Sequence, residues 1–162
     1  MVSEVTREEQ LEEQIWEDAN DVLNASVSYA KRMLRRYGSF APFSQRMSLD
    51  GKVSLEVVAQ HDMPPDPAML LELLHQQLAE RVEKGLLLAA ATASNVTLDT
   101  PTVEGYNDAV MIEIEHRDGY CRLAFVPYRI LGGKFYPILP RIPKFGTMQT
   151  QEGTPRLFQR VS

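Results

Sequence analysis

The chain has 162 residues, a formal net charge of −5, and 44% hydrophobic and 24% charged residues. This balance is typical of a globular domain and excludes a disordered chain. Nucleic acids and anionic membranes bind basic surfaces, so the acidic charge predicts no nucleic acid and no membrane as partner. The length predicts a single domain over residues 1–162, with 1–5 and about 146–162 as candidate mobile tails.

The cysteine content and the N-terminus predict a cytoplasmic protein. Cys121 is the only cysteine, so the chain has no internal disulfide and suits a reducing compartment. The first residues, MVSEVTREEQ, are acidic and polar, unlike a signal peptide or a presequence. The most apolar run, GLLLAAATA, is too short to span a membrane.

Residues from about 6 to 37 are predicted to form one long helix, or two helices broken near residues 20–24. Thr6 and Glu9 have the spacing of a capping box. Acidic residues lie in the first turns and basic residues near the end, which complements the helix dipole. One mostly apolar stripe repeats at steps of three and four residues. Its members are Leu11, Ile15, Ala19, Val22, Ser26, Ala30, Met33 and Tyr37.

The segment FAPFSQRMSLDGKVSLEVVAQ predicts a β-hairpin centred on Asp50-Gly51. A two-residue loop would place the apolar residues of its two strands on opposite faces of the sheet. A three-residue loop instead sets Met47 opposite Val53 and Phe43 opposite Val57. It also places Gly51 at the left-handed position of a G1 bulge, so the three-residue loop is predicted.

A second helix is predicted after the turn-rich HDMPPDP, with Asp66 as N-cap and Pro67 at the first helical position. Its buried stripe consists of Leu70, Leu71, Leu74, Leu78 and Val82. Gly85 is the predicted end of the helix. The following LLLAAATASNVTL is predicted to be a buried central strand.

Three further strands are predicted at about 107–117, 120–126 and 134–139, which gives the order α-β-β-α-β-β-β-β. This order predicts an α+β domain, an antiparallel meander sheet of about five to six strands with two helices on one face. The order is similar to that of roadblock- and profilin-like domains. That likeness concerns topology and implies no function.

Three segments resemble a family of small uncharacterised bacterial proteins. They are GSFAPFSQRMSLDGKV, the Leu-rich second helix, and DAVMIEIEHRDGYCRLAFVPY, and together they span about residues 35–130. The shared features are a Gly-x-Phe-x-Pro-Phe hairpin and a later Glu-His-x-Asp-Gly hairpin. The resemblance supports the element boundaries and implies no activity.

The segment IEHRDGYCRL contains the only catalytic candidates, His116 and Cys121. A two-residue Asp118-Gly119 turn would pair apolar residues with one another and Glu115 with Arg122. The same register sets His116 opposite Cys121, where the histidine could generate a nucleophilic thiolate. No third partner or oxyanion hole accompanies them, so a structural role is the preferred interpretation and no catalytic residue is predicted.

The sequence predicts no metal and no cofactor. Glu72-x-x-His75 and Glu113-x-x-His116 each match half of a di-iron motif, but the first faces solvent and the second lies on a strand. His61 and Asp62 could ligate a metal together with Asp66, yet the N-cap role of Asp66 explains that residue more simply. Cys-x-x-Cys, Gly-x-Gly-x-x-Gly and Walker motifs do not occur.

The C-terminal part leaves two alternatives open. In FYPILPRIPK, Pro137, Pro140 and Pro143 have the spacing of a polyproline II helix, which aromatic grooves bind. The favoured interpretation is an edge strand protected by prolines. The last residues are either mobile or docked through Leu157 and Phe158.

No motif has catalytic spacing, which favours a non-enzymatic interaction or regulatory protein that self-associates. Trp16, Leu23, Val27 and Leu34 widen the stripe of the first helix and predict a partner surface. We therefore expect a homo-oligomer or another protein partner. The alternatives are a small-molecule-binding protein or hydrolytic enzyme that uses a His116/Cys121 pair, and a chaperone-like or toxin-neutralising protein.

Overall fold

The computed structural model describes residues 6–58, 66–132 and 140–158. Within these ranges the chain forms two helices and seven strands. They are α1 (Arg7–Tyr37), β1 (Phe43–Ser48), β2 (Val53–Val57), α2 (Pro67–Glu83), β3 (Leu87–Thr97), β4 (Asp108–His116), β5 (Cys121–Gly132), β6 (Arg141–Phe145) and β7 (Gln149–Glu152). The predicted strand at 134–139 lies outside the described residues, as does the predicted tail at 1–5.

The strands form one antiparallel sheet, which confirms the α+β class and the predicted element order. Along the sheet the order is β2-β1-β3-β4-β5-β6, and β7 also pairs with β5. β6 lies beside residues 128–132 of β5 and β7 beside residues 122–125, so the two share one edge. β7 has the sequence QTQE, whose polar residues are all exposed, and therefore carries no hydrophobic alternation by which it could be predicted.

α1 is a single helix whose ends are those the sequence predicts. Thr6 Oγ1 accepts from the Glu9 N–H (3.2 Å), and Glu9 Oε2 accepts from the Thr6 N–H (2.9 Å), which completes the capping box. Gly38, at φ +76°, ends the helix and donates its N–H to the Leu34 carbonyl. Neither helix of the described chain is long and apolar enough to cross a membrane.

The β1–β2 hairpin has the predicted three-residue loop. Met47 pairs with Val53 and Phe43 with Val57. Gly51 has φ +83°, the left-handed conformation that the G1 bulge requires. The Asp50 carboxylate accepts from the Lys52 N–H (3.1 Å) and holds the loop.

The two helices lie on opposite faces of the sheet, so the prediction that both cover one face is wrong. Ala89, Ala91 and Ala93 of β3 pack in the core under α1, a face named here the α1 face. Ala90, which points the other way, packs against Leu78 of α2 on the α2 face. On that same face, Arg81 of α2 contacts Glu56 of β2.

Topology explains the position of α2. β2 and β3 both run antiparallel to β1 and flank it, so they are parallel to each other and α2 is the crossover between them. The right-handedness of such crossovers selects the face on which the helix packs. The sequence carries a signal for this arrangement, because β3 is apolar on both faces and needs cover on both.

Candidate functional site

The β4–β5 hairpin closes through a three-residue loop, so the predicted two-residue turn is wrong. The His116 N–H donates to the Tyr120 carbonyl (2.8 Å), and the Gly119 N–H donates to the His116 carbonyl (3.1 Å). Gly119 has φ +105° and forms the bulge. As a result Glu115 pairs with Cys121, one residue away from the predicted partner Arg122.

This register places His116 and Cys121 on opposite faces of the sheet. His116 pairs with Ala89 and points to the α1 face. Cys121 pairs with Glu115, the residue before His116, and therefore points to the α2 face. The structure does not bring the two sequence candidates together, and the proposed thiol–imidazole contact has no geometric basis.

His116 is a buried contact between α1 and the hairpin. Its Nδ1 accepts the Asp118 N–H (3.1 Å), so the ring hydrogen lies on Nε2 and is donated to Asp18 Oδ2 (2.9 Å). The other carboxylate oxygen of Asp18 accepts from Gln14 Nε2 (2.9 Å). Both ring nitrogens are used, so neither is available to take a proton from a substrate.

Cys121 lies beside two carboxylates on the α2 face. It lines a pocket of about 210 Å³ together with Glu113, Glu115 and Arg156. Burial, and then the charges of Glu115 and Glu113, raise the pKa of the Cys121 thiol to about 11. The thiol is protonated at neutral pH, which is the unreactive form of a cysteine.

Glu115 holds the C-terminal segment, a role that sequence analysis missed. Its Oε1 accepts from the backbone N–H groups of Arg156 (2.9 Å), Leu157 (3.0 Å) and Phe158 (3.4 Å). Leu157 and Phe158 also pack against the cluster that contains Leu78. Of the two alternatives for this segment, its described part, which ends at Phe158, has the docked one. The available signal was that the correct register buries Glu115, because a buried acid needs a hydrogen-bond partner.

His75 and Glu113, one residue from each half-motif, meet on the α2 face. His75 Nε2 lies 3.3 Å from Thr92 Oγ1 and 3.8 Å from Glu113 Oε2, so the expectation that His75 faces solvent is wrong. Both contacts use the same ring nitrogen. The part of the chain that the structure describes contains no group of three His, Cys, Asp or Glu residues placed to hold a metal ion.

The remaining metal and proline candidates fall partly outside the described residues. His61, Asp62 and Pro137 lie there, so the predicted absence of metal stays a prediction. Asp66 Oδ1 accepts from the Ala68 N–H (3.1 Å), which confirms its N-cap role. Pro143 pairs with Ile130 of β5 within β6, which ends the strand order of the sheet, in agreement with the edge-strand interpretation.

The first eleven residues of α1, 7–17, lie at the end of the sheet that carries the β1–β2 and β4–β5 loops, and we name them the α1 overhang. They are mostly exposed, and burial of the helix begins at Asp18. At a rise of 1.5 Å per residue the overhang is about 16 Å long. Leu11 is 53% and Trp16 60% exposed, and Ile15 is half-buried.

The other apolar residues expected to form a partner surface belong to the core. Leu23 and Leu34 are buried on the α1 face, and Val27 packs against the same cluster. Trp16 alone of that set is exposed. The exposed large apolar residues of α1 are therefore Leu11 and Trp16 in the overhang and Tyr37 in the last turn. The overhang also carries one arginine and five glutamates and a net charge of −4.

No protein-family model, curated protein or solved structure matches this chain. The roadblock- or profilin-like topology therefore stays a prediction.

Proposed function

We propose that this chain is a non-enzymatic interaction or regulatory protein of the bacterial cytoplasm that associates with itself. The observation that carries the proposal is the α1 overhang, a helix end with Leu11 and Trp16 exposed. Exposed apolar side chains grouped on one element are typical of a protein contact surface, and tryptophan is prominent among residues that dominate binding energy. The single cysteine supports the compartment, and the hairpin motifs support the bacterial origin.

The chemistry of the two sequence candidates supports a non-enzymatic role. His116 has both ring nitrogens in hydrogen bonds, and the Cys121 thiol is protonated at neutral pH. The alternative, a hydrolytic enzyme or small-molecule-binding protein with a His116/Cys121 pair, would need these residues on one face. They lie on opposite faces, so no observation favours it.

Charge supports a second copy of the chain as the partner. The overhang has a net charge of −4, whereas the last turns of α1 carry Lys31, Arg32, Arg35 and Arg36. The protein is therefore acidic at one end of α1 and basic at the other. Opposite charges of this kind favour association between copies and set their orientation.

Sedimentation velocity over a concentration series tests the proposal. A helix of about 16 Å buries less area than a standard interface, so we expect a Kd of roughly 10–100 μM. Leu11→Glu combined with Trp16→Glu should abolish association without unfolding the protein, because both side chains are exposed. Met69→Glu, at another exposed apolar position, is the matched control and should associate like wild type. A wild-type protein that stays monomeric at about 1 mM would overturn the proposal.

A further inference from the structure

We infer that copies of this chain associate head-to-tail, with the α1 overhang of one copy docked on a basic and apolar patch at the opposite end of the next. The inference rests on the proposed self-association and specifies its geometry. It is carried by the β5–β6 patch, which we define as Arg129, Leu131, Ile142 and Lys144.

The β5–β6 patch is a continuous exposed surface on the α2 face. Leu131 pairs with Ile142 and Arg129 with Lys144, so the four side chains project to the same side of adjacent strands. Leu131 is 40% and Ile142 57% exposed, and both basic residues are exposed as well. α2 packs on the same face over β1 and β3, which are separated from β5 and β6 by β4. It therefore does not cover this patch.

A cleft of about 410 Å³ lies beside the patch on the same face. Phe125 and Pro127 of β5 form its floor, and Val103 of the loop before β4 forms part of its wall. Arg129 follows on the same strand face, with its guanidinium over the Tyr106 ring at 5.6 Å. A cleft with an apolar floor and an arginine beside it fits an exposed tryptophan from an acidic helix.

The overhang has the properties of that helix. It presents Leu11 and Trp16 among five glutamates, and the patch offers a pair of apolar side chains beside a pair of basic ones. Glu104 on the cleft wall is the one acid that faces the cleft among its described lining residues. Two overhangs packed on each other would instead bring ten glutamates together against two arginines. Charge therefore favours overhang on patch and disfavours overhang on overhang.

The two surfaces lie at opposite ends of the protein. The Asp18–His116 hydrogen bond places the start of α1 at the hairpin end of β5, whereas the patch lies at residues 129–131, near the far end of that strand. Docking of one on the other leaves a free overhang and a free patch on every pair. Such a heterologous contact continues into rings or open chains rather than closing as a dimer.

A mixing experiment with two variants distinguishes this geometry from a twofold dimer. The overhang variant carries Leu11→Glu and Trp16→Glu, and the patch variant carries Ile142→Glu. Each variant alone should be monomeric, with a Kd raised at least about tenfold. Their equimolar mixture should form a one-to-one dimer and nothing larger, because one intact overhang and one intact patch remain.

The other outcomes of the mixing experiment are equally informative. A patch variant that self-associates like wild type would overturn the head-to-tail geometry and leave the proposed self-association standing. A mixture that stays monomeric would also overturn it, because both surfaces would then belong to one twofold interface. A monomeric wild-type protein would overturn the proposed function itself. Circular dichroism melting of each variant verifies that it is folded.

The salt dependence of association provides a second measurement, made first on the wild-type protein. Opposite charges meet in the head-to-tail contact, so the wild-type Kd should rise several-fold between about 0.05 and 0.5 M NaCl. Lys144→Glu, at an exposed position, should raise the Kd at low salt and flatten this dependence. Association that strengthens with salt would show that like charges meet and would overturn the inference.

Discussion

Glu115 and His116 are neighbours at the end of β4, yet they point to opposite faces of the sheet and hold different parts of the chain. His116 is 2% exposed and binds a side chain, Asp18 of α1. Glu115 is 5% exposed and binds the backbone N–H groups of residues 156–158. One strand end thus holds both the first and the last described segments of the chain.

Because His116 binds α1 and Glu115 binds the C-terminal segment, we expect substitutions of the two residues to destabilise different parts of the protein. α1 contributes to the main core, so a defect at His116 should act on the global unfolding of the domain. The C-terminal segment has little regular structure and rests on a small cluster around Leu78. A defect at Glu115 should therefore release that segment first, as a local opening.

The largest expected effect is that of His116→Ala. The substitution leaves the Asp18 carboxylate buried with Gln14 as its remaining side-chain partner, so we expect a loss of about 3 kcal/mol in the free energy of unfolding. Urea denaturation measures it. Asp18→Asn keeps an oxygen that accepts from Nε2 and should cost only about 1 kcal/mol. A loss below about 0.5 kcal/mol for His116→Ala would contradict a buried, stabilising contact.

An intermediate effect is expected for Glu115→Ala, which removes the acceptor of three backbone N–H groups. The free energy of unfolding should fall by about 1–2 kcal/mol. Limited trypsin digestion should show cleavage after Arg156 accelerated roughly tenfold, because the segment opens more often. Glu115→Gln, which keeps one carbonyl oxygen, should lie between wild type and Glu115→Ala. Cleavage after Arg117, in the exposed hairpin loop, is the internal control and should not change.

The smallest effect on stability is expected at the Cys121 thiol. The reactivity of this thiol is also the sharpest test of which face of the sheet each residue occupies. Its pKa of about 11 predicts an alkylation rate that rises with pH without a plateau below about pH 10. Glu113→Gln should lower this pKa, whereas His116→Ala should leave it unchanged because His116 lies across the sheet. A plateau near pH 7 would instead indicate a thiolate paired with the histidine.

The same pKa has a consequence for stability. The unfolded chain releases the thiol proton near its ordinary value of 9.0, whereas the folded chain holds it until about 11. This contribution to stability is fully present below about pH 9 and is lost as the pH rises towards 11. Cys121→Ser should therefore flatten the pH dependence of the free energy of unfolding in that window.

Local chemistry in the sequence was sufficient to predict the helix ends, the first hairpin and the element order. The helix ends are set by short-range interactions, each between residues only a few positions apart. They are the capping box at Thr6 and Glu9, the N-cap Asp66 and the glycine after α1. The β1–β2 register was predictable because two apolar pairs, Met47 with Val53 and Phe43 with Val57, agree on one loop length.

The same reasoning failed in the β4–β5 hairpin, although both loops are closed by Asp-Gly. There the two-residue loop produced plausible pairs, Glu115 with Arg122 and apolar with apolar, so side-chain types alone selected the wrong register. The observed register is the one that places Ala124, Val126 and Tyr128 of β5 in the core under α1, so that Leu123 and Phe125 point to the α2 face. A shift of one residue would exchange the faces of the β5 side chains, while Glu115 and His116 would keep the faces that the pairing of β4 with β3 gives them.

The sequence alone therefore determined both helices, the strands from β1 to β5, their order and the α+β class, since capping, periodicity and turn chemistry act over short distances. Tertiary structure decided the face on which α2 packs, the pairing of β7 and the environments of His116, Cys121 and Glu115. These depend on crossover handedness and on contacts between residues 41 to 98 positions apart in the sequence. Tertiary structure also decided which apolar residues of α1 are buried in the core and which, such as Leu11 and Trp16, are exposed. The reason is that only the assembled sheet defines how much of the helix it covers.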